Sequence, residues 1–277
     1  MGVVGLQRGL IRPLRRVATR RSGGVFAVAV LVVALVQAPA TAATANPYIN
    51  PSSTPASVGY DVGHPNCAAT APTGDYFAVV GLGGGRPFST NSCAAGEWSA
   101  ATGATTLAPS AYFNTGYAGA YAKSVDATCA GASSSAGVYG TARGHQLKQD
   151  EEAWAIGCSE VDSAHAFLTT WSSSTPTLWW ADVETANSWS TNLALNQLTL
   201  DGISSQMTTL GLGGFYSTPS MWASITGSSR WTTTPLASAN WVAGGPCTSS
   251  FDSGTLSVPT WLVQGSAANG IDTDQAC

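Results

Sequence analysis

The sequence predicts an α/β protein whose strands close into a single barrel. Short apolar runs typical of buried parallel strands alternate with segments of helical periodicity through most of the chain. The last third carries further strand-like runs with no room for long helices between them. Alternating strand–helix units with about eight strands in total favour a closed (β/α) barrel whose last third is degenerate.

Three strands and a helix are expected in the first part of the barrel. Val58–Val62 is a short strand-like run, and Tyr76–Leu82 is a continuous apolar run that ends in Gly83–Gly85. Ser110–Asn114 is the third strand. A helix should follow, because Ser159–Asp162 resembles a capping box at the start of apolar residues with helical spacing. These apolar residues are Val161, Ala164, Leu168 and Trp171.

The remaining elements follow Pro176, which should end that helix. Thr177–Glu184 is expected to form the fourth strand, and a second amphipathic helix after it is closed by Gly211. Its apolar positions are Leu193, Leu200, Ile203, Met207 and Leu210. Gly214–Ser217 is the fifth strand. The closing strands are Asn240–Ala243, Thr260–Gln264 and Gly270–Asp272.

The N-terminal residues have the pattern of a secretory signal. Arginines are concentrated in the first 21 residues, an uninterrupted apolar run spans Val25–Val36, and small residues follow it. The run is shorter than the about 20 residues that a membrane-spanning helix needs. We therefore expect a signal peptide over residues 1–45, a flexible linker over 46–57 and one barrel domain over 58–277.

Without the signal the chain is acidic. Fifteen Asp and Glu residues remain beside five Lys and Arg residues, which gives a net charge of −10. This balance argues against nucleic acid and anionic membranes as partners, and no second apolar run provides a membrane anchor. The loop Gly81–Arg86 lacks the glycine spacing of a dinucleotide-binding loop, so no cofactor is expected.

Six cysteines in an exported chain indicate disulfides. Six cysteines allow 15 pairings in principle, and we expect the sequential one because each of its pairs joins neighbouring loops. These pairs are Cys67–Cys93, Cys129–Cys158 and Cys247–Cys277. The chain contains no C-x-x-C motif and its histidines lie far apart in the sequence, so no metal site is expected.

The fourth strand ends in two carboxylates. Side chains alternate between the faces of an extended strand, so Asp182 and Glu184 point to one side, with Leu178 and Trp180 behind them. Because like charges repel in a low dielectric, one of the two should hold a proton near neutral pH. A protonated and an ionised carboxyl group in one cleft are the usual equipment for hydrolysing a glycosidic bond. The alternative is an acidic strand end that caps the next helix.

The other strand ends add residues to the same rim, because the chemistry of such barrels lies at the C-terminal ends of the strands. Asp61 and Asp272 join Asp182 and Glu184 as candidate catalytic carboxylates. The candidate substrate-binding residues are Asn114, Tyr216, Trp241, Gln264 and Arg86. Arg86 is either a ligand for a substrate carboxylate or a surface charge. The candidate aromatic platforms for sugar rings are Trp241, Trp189 and Trp222, whereas Trp180 is expected in the core.

These motifs resemble those of glycoside hydrolase family 25, the secreted muramidase-type lysozymes, from about Val58 to Cys277. GYDVGHPNC resembles the opening Asp-Val-Ser strand of that family, with Gly63 at the position of the serine. WWADVETANSW resembles its Asp-x-Glu strand, and GFYSTPSMW resembles its Gly-x-Tyr-Ser strand. NWVAG, TWLVQ and GIDTDQ resemble its closing Trp-x-Ala, Trp-Gln-Tyr and Val-Asp-x-Asn segments.

The resemblance implies an irregular TIM-like barrel of the (β/α)5(β)3 type, with Glu184 as general acid and Asp182 positioning or activating a participating group. The resemblance also implies that Asp61 is one of the catalytic carboxylates. Asp274 stands where the family has Asn, so Asp272 and Asp274 remain alternatives on the last strand. The third strand reads YFN in place of Tyr-His-Phe, and the GGGRPFSTN loop and the disulfides are unlike typical members. These departures indicate a divergent, actinobacterial-type branch.

The sequence therefore predicts a secreted, extracellular and monomeric glycoside hydrolase. Its expected substrate is a bacterial cell-wall polysaccharide such as peptidoglycan, cleaved by carboxylate acid/base catalysis. One alternative is a non-catalytic sugar-binding or cell-wall-associated barrel protein. Another is a chitinase-like hydrolase, whose longer Asp-x-x-Asp-x-Asp-x-Glu signature is absent from this chain.

Overall fold

The structure, a computed structural model, describes residues 44–52, 57–64, 66–135, 145–227, 237–251, 258–266 and 271–277. Residues 1–43 of the expected signal peptide and residues 53–56 of the expected linker lie outside these ranges. Eight strands form a closed barrel in chain order. The strands are β1 (Val58–Val62), β2 (Phe77–Gly81), β3 (Ser110–Asn114), β4 (Trp179–Asp182), β5 (Gly213–Ser217), β6 (Ala239–Ala243), β7 (Thr260–Gln264) and β8 (Asp272–Ala276).

Helices connect the strands in the middle of the chain, and β8 closes the barrel. The α-helices are α1 (Ala94–Ala104), α2 (Ala127–Ser135), α3 (His145–Thr169), α4 (Leu193–Leu210) and α5 (Pro219–Thr226), and a 3-10 helix spans Gly119–Ser124. They follow β2, β3, β4 and β5. This arrangement confirms the α/β, TIM-like barrel. None of the helices in the described ranges combines the length and the apolarity that crossing a membrane would take.

The direction of the last strand differs from the sequence-based expectation. Strands β1 to β7 run parallel, but β8 pairs antiparallel with both β7 and β1. The prediction that Asp272 ends the last strand is therefore wrong, because Asp272 begins β8, whereas Gly270 of the expected strand lies outside the described residues. A parallel return needs a crossover of about a dozen residues, which residues 265–271 cannot provide. Asp272 still reaches the expected rim, because it pairs with Asp61 near the end of β1.

The core has two layers, one on each side of the barrel wall. Side chains that point into the barrel form the inner layer, and side chains that point outwards pack against the helices. On β4 the alternation is regular: Leu178 and Trp180 belong to the inner layer, while Trp179, Ala181 and Val183 belong to the outer one. The same alternation carries Asp182 and Glu184 to the inner side, as the sequence predicts.

Tyr48 closes the barrel at the end where the parallel strands begin. Its side chain is 0% exposed, although it belongs to the segment expected to be a flexible linker. Its ring lies 4.7 Å from that of Phe77, and its hydroxyl group hydrogen-bonds Ser110 Oγ and accepts a bond from the Trp180 indole. Asn46 also donates to the Trp261 carbonyl. The described part of this segment is therefore anchored to the barrel.

The helix boundaries are predicted well in one case and poorly in another. Helix α4 begins at Leu193 and ends before Gly211, whose φ of 136° suits glycine. Helix α3 begins at His145, well before the expected start at Ser159. Ser159 is not an N-cap, because it lies inside the helix and its hydroxyl group accepts a bond from the Asp126 backbone N–H.

Three disulfides join Cys67–Cys93, Cys129–Cys158 and Cys247–Cys277. These are the sequential pairs, but not all of them join loops. Cys129–Cys158 joins α2 to α3, and Cys277 follows β8, which runs away from the rim. Cys67–Cys93 ties the loop after β1 to the start of α1, on the rim side of the barrel.

Candidate active site

A cleft of about 320 Å³ opens at the end of the barrel where the parallel strands finish. It brings together all the candidate catalytic carboxylates: Asp61, Asp182, Glu184 and Asp272. Four of the candidate substrate-binding residues also line it: Asn114, Tyr216, Trp241 and Gln264. Each of these residues lies on a strand or directly after one, so the barrel wall holds the cleft in shape.

Arg86 does not belong to this cleft. It is exposed and lines a separate narrow cavity together with Phe88 and Glu160. The expectation that Arg86 binds the substrate is therefore not supported, and the alternative of a surface charge fits its position. His64, on the loop after β1, is the basic residue in the described lining of the cleft.

Asp182 is enclosed at the bottom of the cleft, with 4% of its surface exposed. Its Oδ2 atom accepts a hydrogen bond of 2.5 Å from Asn114 Nδ2, whereas Oδ1 is buried with no hydrogen-bond partner in the described structure. Burial raises the pKa of Asp182 well above its usual range, and the nearby Glu184 carboxyl group raises it further. The donor from Asn114 opposes this shift without cancelling it.

Glu184 is the half-exposed partner of Asp182. Its backbone carbonyl accepts a hydrogen bond of 2.8 Å from the Trp189 indole, which fixes the backbone while its carboxyl group faces the cleft. Burial raises the pKa of Glu184. Because the pKa values of both neighbouring carboxyl groups are raised, the pair keeps one proton to a higher pH than a carboxyl group in water would.

A chain of hydrogen bonds holds Asp61 on the opposite wall. The Tyr216 hydroxyl group donates to Gln264 Oε1 at 2.7 Å, and Gln264 Nε2 donates to Asp61 Oδ2 at 2.9 Å. Asp61 is 8% exposed, and burial raises its pKa to about 6 against the opposing effect of Gln264. Gln264 thus stabilises the ionised form of Asp61 and fixes its orientation in the cleft.

The structure separates the two alternatives on β8. Asp272 lines the cleft and is partly exposed, and Gln264 Nε2 lies 3.5 Å from its Oδ2 atom. Asp274 is 1% exposed and does not line the cleft, and its Oδ1 atom accepts a bond of 2.8 Å from the Trp241 indole. Asp272 is therefore the residue of the two that a substrate can reach in this cleft.

Neither Trp241 nor Trp222 is the open platform that the sequence suggests. Trp241 contributes to the cleft lining but is 2% exposed, because Tyr216 covers it at a ring distance of 4.5 Å. Trp222 packs on Phe251 in the outer core, away from the cleft. Trp180 is fully buried in the barrel interior, as expected.

Tyr112 and Asn187 also line the cleft and were not predicted from the sequence. Tyr112 lies two residues before Asn114 on β3, so strand alternation alone would have placed it on the same inward face. Asn187 donates to the Asp182 carbonyl at 3.3 Å from an irregular loop, where no periodic pattern exists to reveal it. Gly83 makes room for this arrangement, since a side chain there would collide with Asn114 Oδ1.

No cluster in the described residues is suited to a metal. The one group with suitable spacing is Cys129, Cys158 and Asp162, and a disulfide already joins its two cysteines. The cleft lining presents carboxyl, amide, phenol and imidazole groups. Such groups can deliver a proton, accept a proton and orient hydroxyl groups through hydrogen bonds.

No protein-family model matches the chain, and no curated protein sequence matches it either. Among solved structures, the modular autolysin LytC from Streptococcus pneumoniae in complex with a synthetic peptidoglycan ligand is similar over 80% of this chain and 47% of that chain, with 10% identity and a TM-score of 0.46. A muramidase from Acremonium alcalophilum is similar over 79% of this chain and 93% of that chain, with 12% identity and a TM-score of 0.45. The chain thus spans about half the length of LytC. At these scores neither likeness assigns an activity.

Proposed function

We propose that the protein is a secreted glycoside hydrolase that cleaves bacterial cell-wall polysaccharide by carboxylate acid/base catalysis. The observation that carries the proposal is the pair Asp182 and Glu184, which share a cleft with Asp61 and Asp272 at the end of a closed barrel. Paired carboxyl groups with raised pKa values are the equipment of glycosidases. The resemblance of the strand-end motifs to those of family 25 supports the same reaction class.

Glu184 delivers a proton to the leaving glycosidic oxygen in this proposal. It is the less buried member of the pair, and burial raises its pKa, which favours the protonated form that a general acid needs. Asp182, held by Asn114 at its Oδ2 atom, orients or stabilises the group that reacts at the anomeric carbon. The two residues then act as one unit with a shared proton.

The opposite wall positions the substrate. Asp61 and Asp272 present acceptor oxygens to sugar hydroxyl groups, and Gln264 and Tyr216 keep the Asp61 oxygen in place. No Lys or Arg lies in the described lining of the cleft. A polyol with many hydroxyl donors suits such a surface better than a polyanion does.

The test is an assay of the purified mature protein on peptidoglycan, chitin and arabinogalactan, with newly formed reducing ends as the readout. We expect release from peptidoglycan by the wild type and none by Glu184→Gln. Release from chitin alone would favour the chitinase-like alternative. Absence of release from all three polymers at acidic, neutral and alkaline pH, with binding retained, would leave the sugar-binding alternative and refute the proposal.

A further inference from the structure

A second pair of carboxyl groups lies on the opposite wall from Asp182 and Glu184. Asp274 of β8 and Asp61 of β1 are diagonal neighbours across the antiparallel pair, because Asp274 pairs with Gly59 and Asp61 pairs with Asp272. Trp241 donates to Asp274 Oδ1 at 2.8 Å, and Gln264 donates to Asp61 Oδ2 at 2.9 Å. Each carboxyl group therefore has one neutral N–H donor of its own.

A hydrogen bond between two carboxyl groups requires a proton, because ionised carboxylates only accept. The environment decides which of the two carries it. Asp274 is 1% exposed, and its Oδ2 atom receives no N–H or hydroxyl donor from the described residues. An ionised carboxylate in such a place costs far more than a neutral acid. Asp61 borders the cleft, so the charge is better solvated there.

We propose that Asp274 is a positioning residue, a neutral carboxylic acid that donates its proton to Asp61 and fixes that carboxylate as an acceptor on the wall of the cleft. The direction of the pKa shifts agrees with this arrangement. Burial raises the pKa of Asp274 well above its usual range, and the bond from Asp274 opposes the rise in the pKa of Asp61.

The other titratable groups around the pair do not supply the missing proton donor. Tyr48 and Tyr216 both interact electrostatically with Asp274, and burial raises the pKa of both phenols, so both are neutral. Asp272, on the same strand, is a further carboxyl group, and its negative charge disfavours ionisation of Asp274. No positively charged side chain hydrogen-bonds the pair in the described structure.

The proton arrangement is tested by carbon-13 NMR of the aspartate carboxyl groups in the ligand-free protein. Asp61→Asn and Asp274→Asn identify the two signals. We expect the Asp274 signal to keep the position of a protonated acid through neutral pH, while the Asp61 signal titrates at about 6. Ionisation of Asp274 near the unperturbed value of about 3.9 would overturn the proposal.

Two substitutions separate positioning from mere packing. The amide introduced by Asp274→Asn can still donate to Asp61 and accept from Trp241, so this variant should keep the Asp61 midpoint at about 6. Asp274→Leu removes the donor and should raise that midpoint by about one to two pH units. A lower Asp61 midpoint in the Asp274→Asn variant would show that Asp274 is charged in the wild type. An unshifted Asp61 midpoint in a folded Asp274→Leu variant would show that Asp274 has a packing role only. Either result would overturn the proposal.

Part of the role rests on the proposed function, because Asp61 is positioned for a substrate. If the protein is a hydrolase, the acidic limb of its kcat/KM profile should move upwards in Asp274→Leu together with the Asp61 midpoint. If no polysaccharide is hydrolysed but the NMR titrations follow the expected pattern, the proposed function fails and the shared proton stands. If Asp274→Leu does not fold, the titrations of the wild type and of Asp274→Asn decide the outcome.

Discussion

Replacement of Glu184 by Gln isolates the proton that we assign to this residue. The amide has nearly the same shape as the carboxyl group but cannot protonate a leaving oxygen. No hydrogen bond to the Glu184 carboxyl group occurs in the described structure, where the fixed contact is its backbone carbonyl with Trp189. The substitution therefore leaves no buried partner without a bond, and the free energy of unfolding should change by no more than about 0.5 kcal/mol.

The expected loss of activity is large by comparison. General acid catalysis contributes about 10²–10⁴-fold to the rate. That factor corresponds to about 2.7–5.5 kcal/mol in the activation barrier at about 1.36 kcal/mol for each tenfold change. Because Glu184 is proposed to act mainly in the transition state, kcat should carry the loss and the binding of polysaccharide should change little.

The assay measures reducing ends against time for the wild type, Glu184→Gln and a matched control. Glu151→Gln is the control, because it makes the same chemical change on α3 outside the cleft lining. Thermal unfolding and a pull-down with the insoluble polysaccharide check folding and binding. Full activity of Glu184→Gln would refute the assignment of the general acid, and an equal loss in Glu151→Gln would show that the effect is not specific to the cleft.

Three further outcomes are expected. Asp182→Asn should lower kcat at neutral pH and move the alkaline limb of the pH–rate profile to lower pH, because Glu184 then no longer shares its proton with a second carboxyl group; an unchanged profile would contradict a shared proton. Tyr216→Phe removes the 2.7 Å bond to Gln264 and should lower kcat/KM by about 2- to 12-fold, the equivalent of one hydrogen bond, in steady-state kinetics. Asp274→Asn should raise the melting temperature at neutral pH, with a gain that shrinks as the pH falls towards about 4. The pKa of Asp274 is higher in the folded protein than in the unfolded chain, so the stability of the wild type is greatest below the pKa that Asp274 has in the unfolded chain and declines as the pH rises. Calorimetry across pH would show this decline.

Much of the site could be predicted from local sequence, because strand alternation is a local rule. The apolar run before Asp182 identifies a buried strand, and a period of two then fixes the common face of Asp182 and Glu184. The same rule applied to β3 would have found Tyr112 from Asn114. The rule fails at Asn187, which lies in an irregular loop and has no periodic neighbours.

Other features depend on contacts between distant parts of the chain. The burial of Trp241 follows from its neighbour Tyr216 on the next strand, so an aromatic residue at a strand end does not reveal whether its face is open. Tyr48 is polar enough and close enough to a Pro/Ser/Thr stretch to suggest a linker, yet it is buried against Phe77. The antiparallel direction of β8 could have been predicted from the sequence, because the connection 265–271 between β7 and β8 is too short for a parallel crossover.

Hydrolysis of a glycosidic bond by the carboxylates of this cleft leaves a chemical mark that can be measured. The experiment is digestion of peptidoglycan by the wild type in oxygen-18 water, with rapid borohydride reduction of the products and mass spectrometry of the fragments. We expect fragments that carry one labelled oxygen at the new reducing end, formed by the wild type and not by Glu184→Gln. Intact polymer, or fragments without the label, would contradict the proposed reaction.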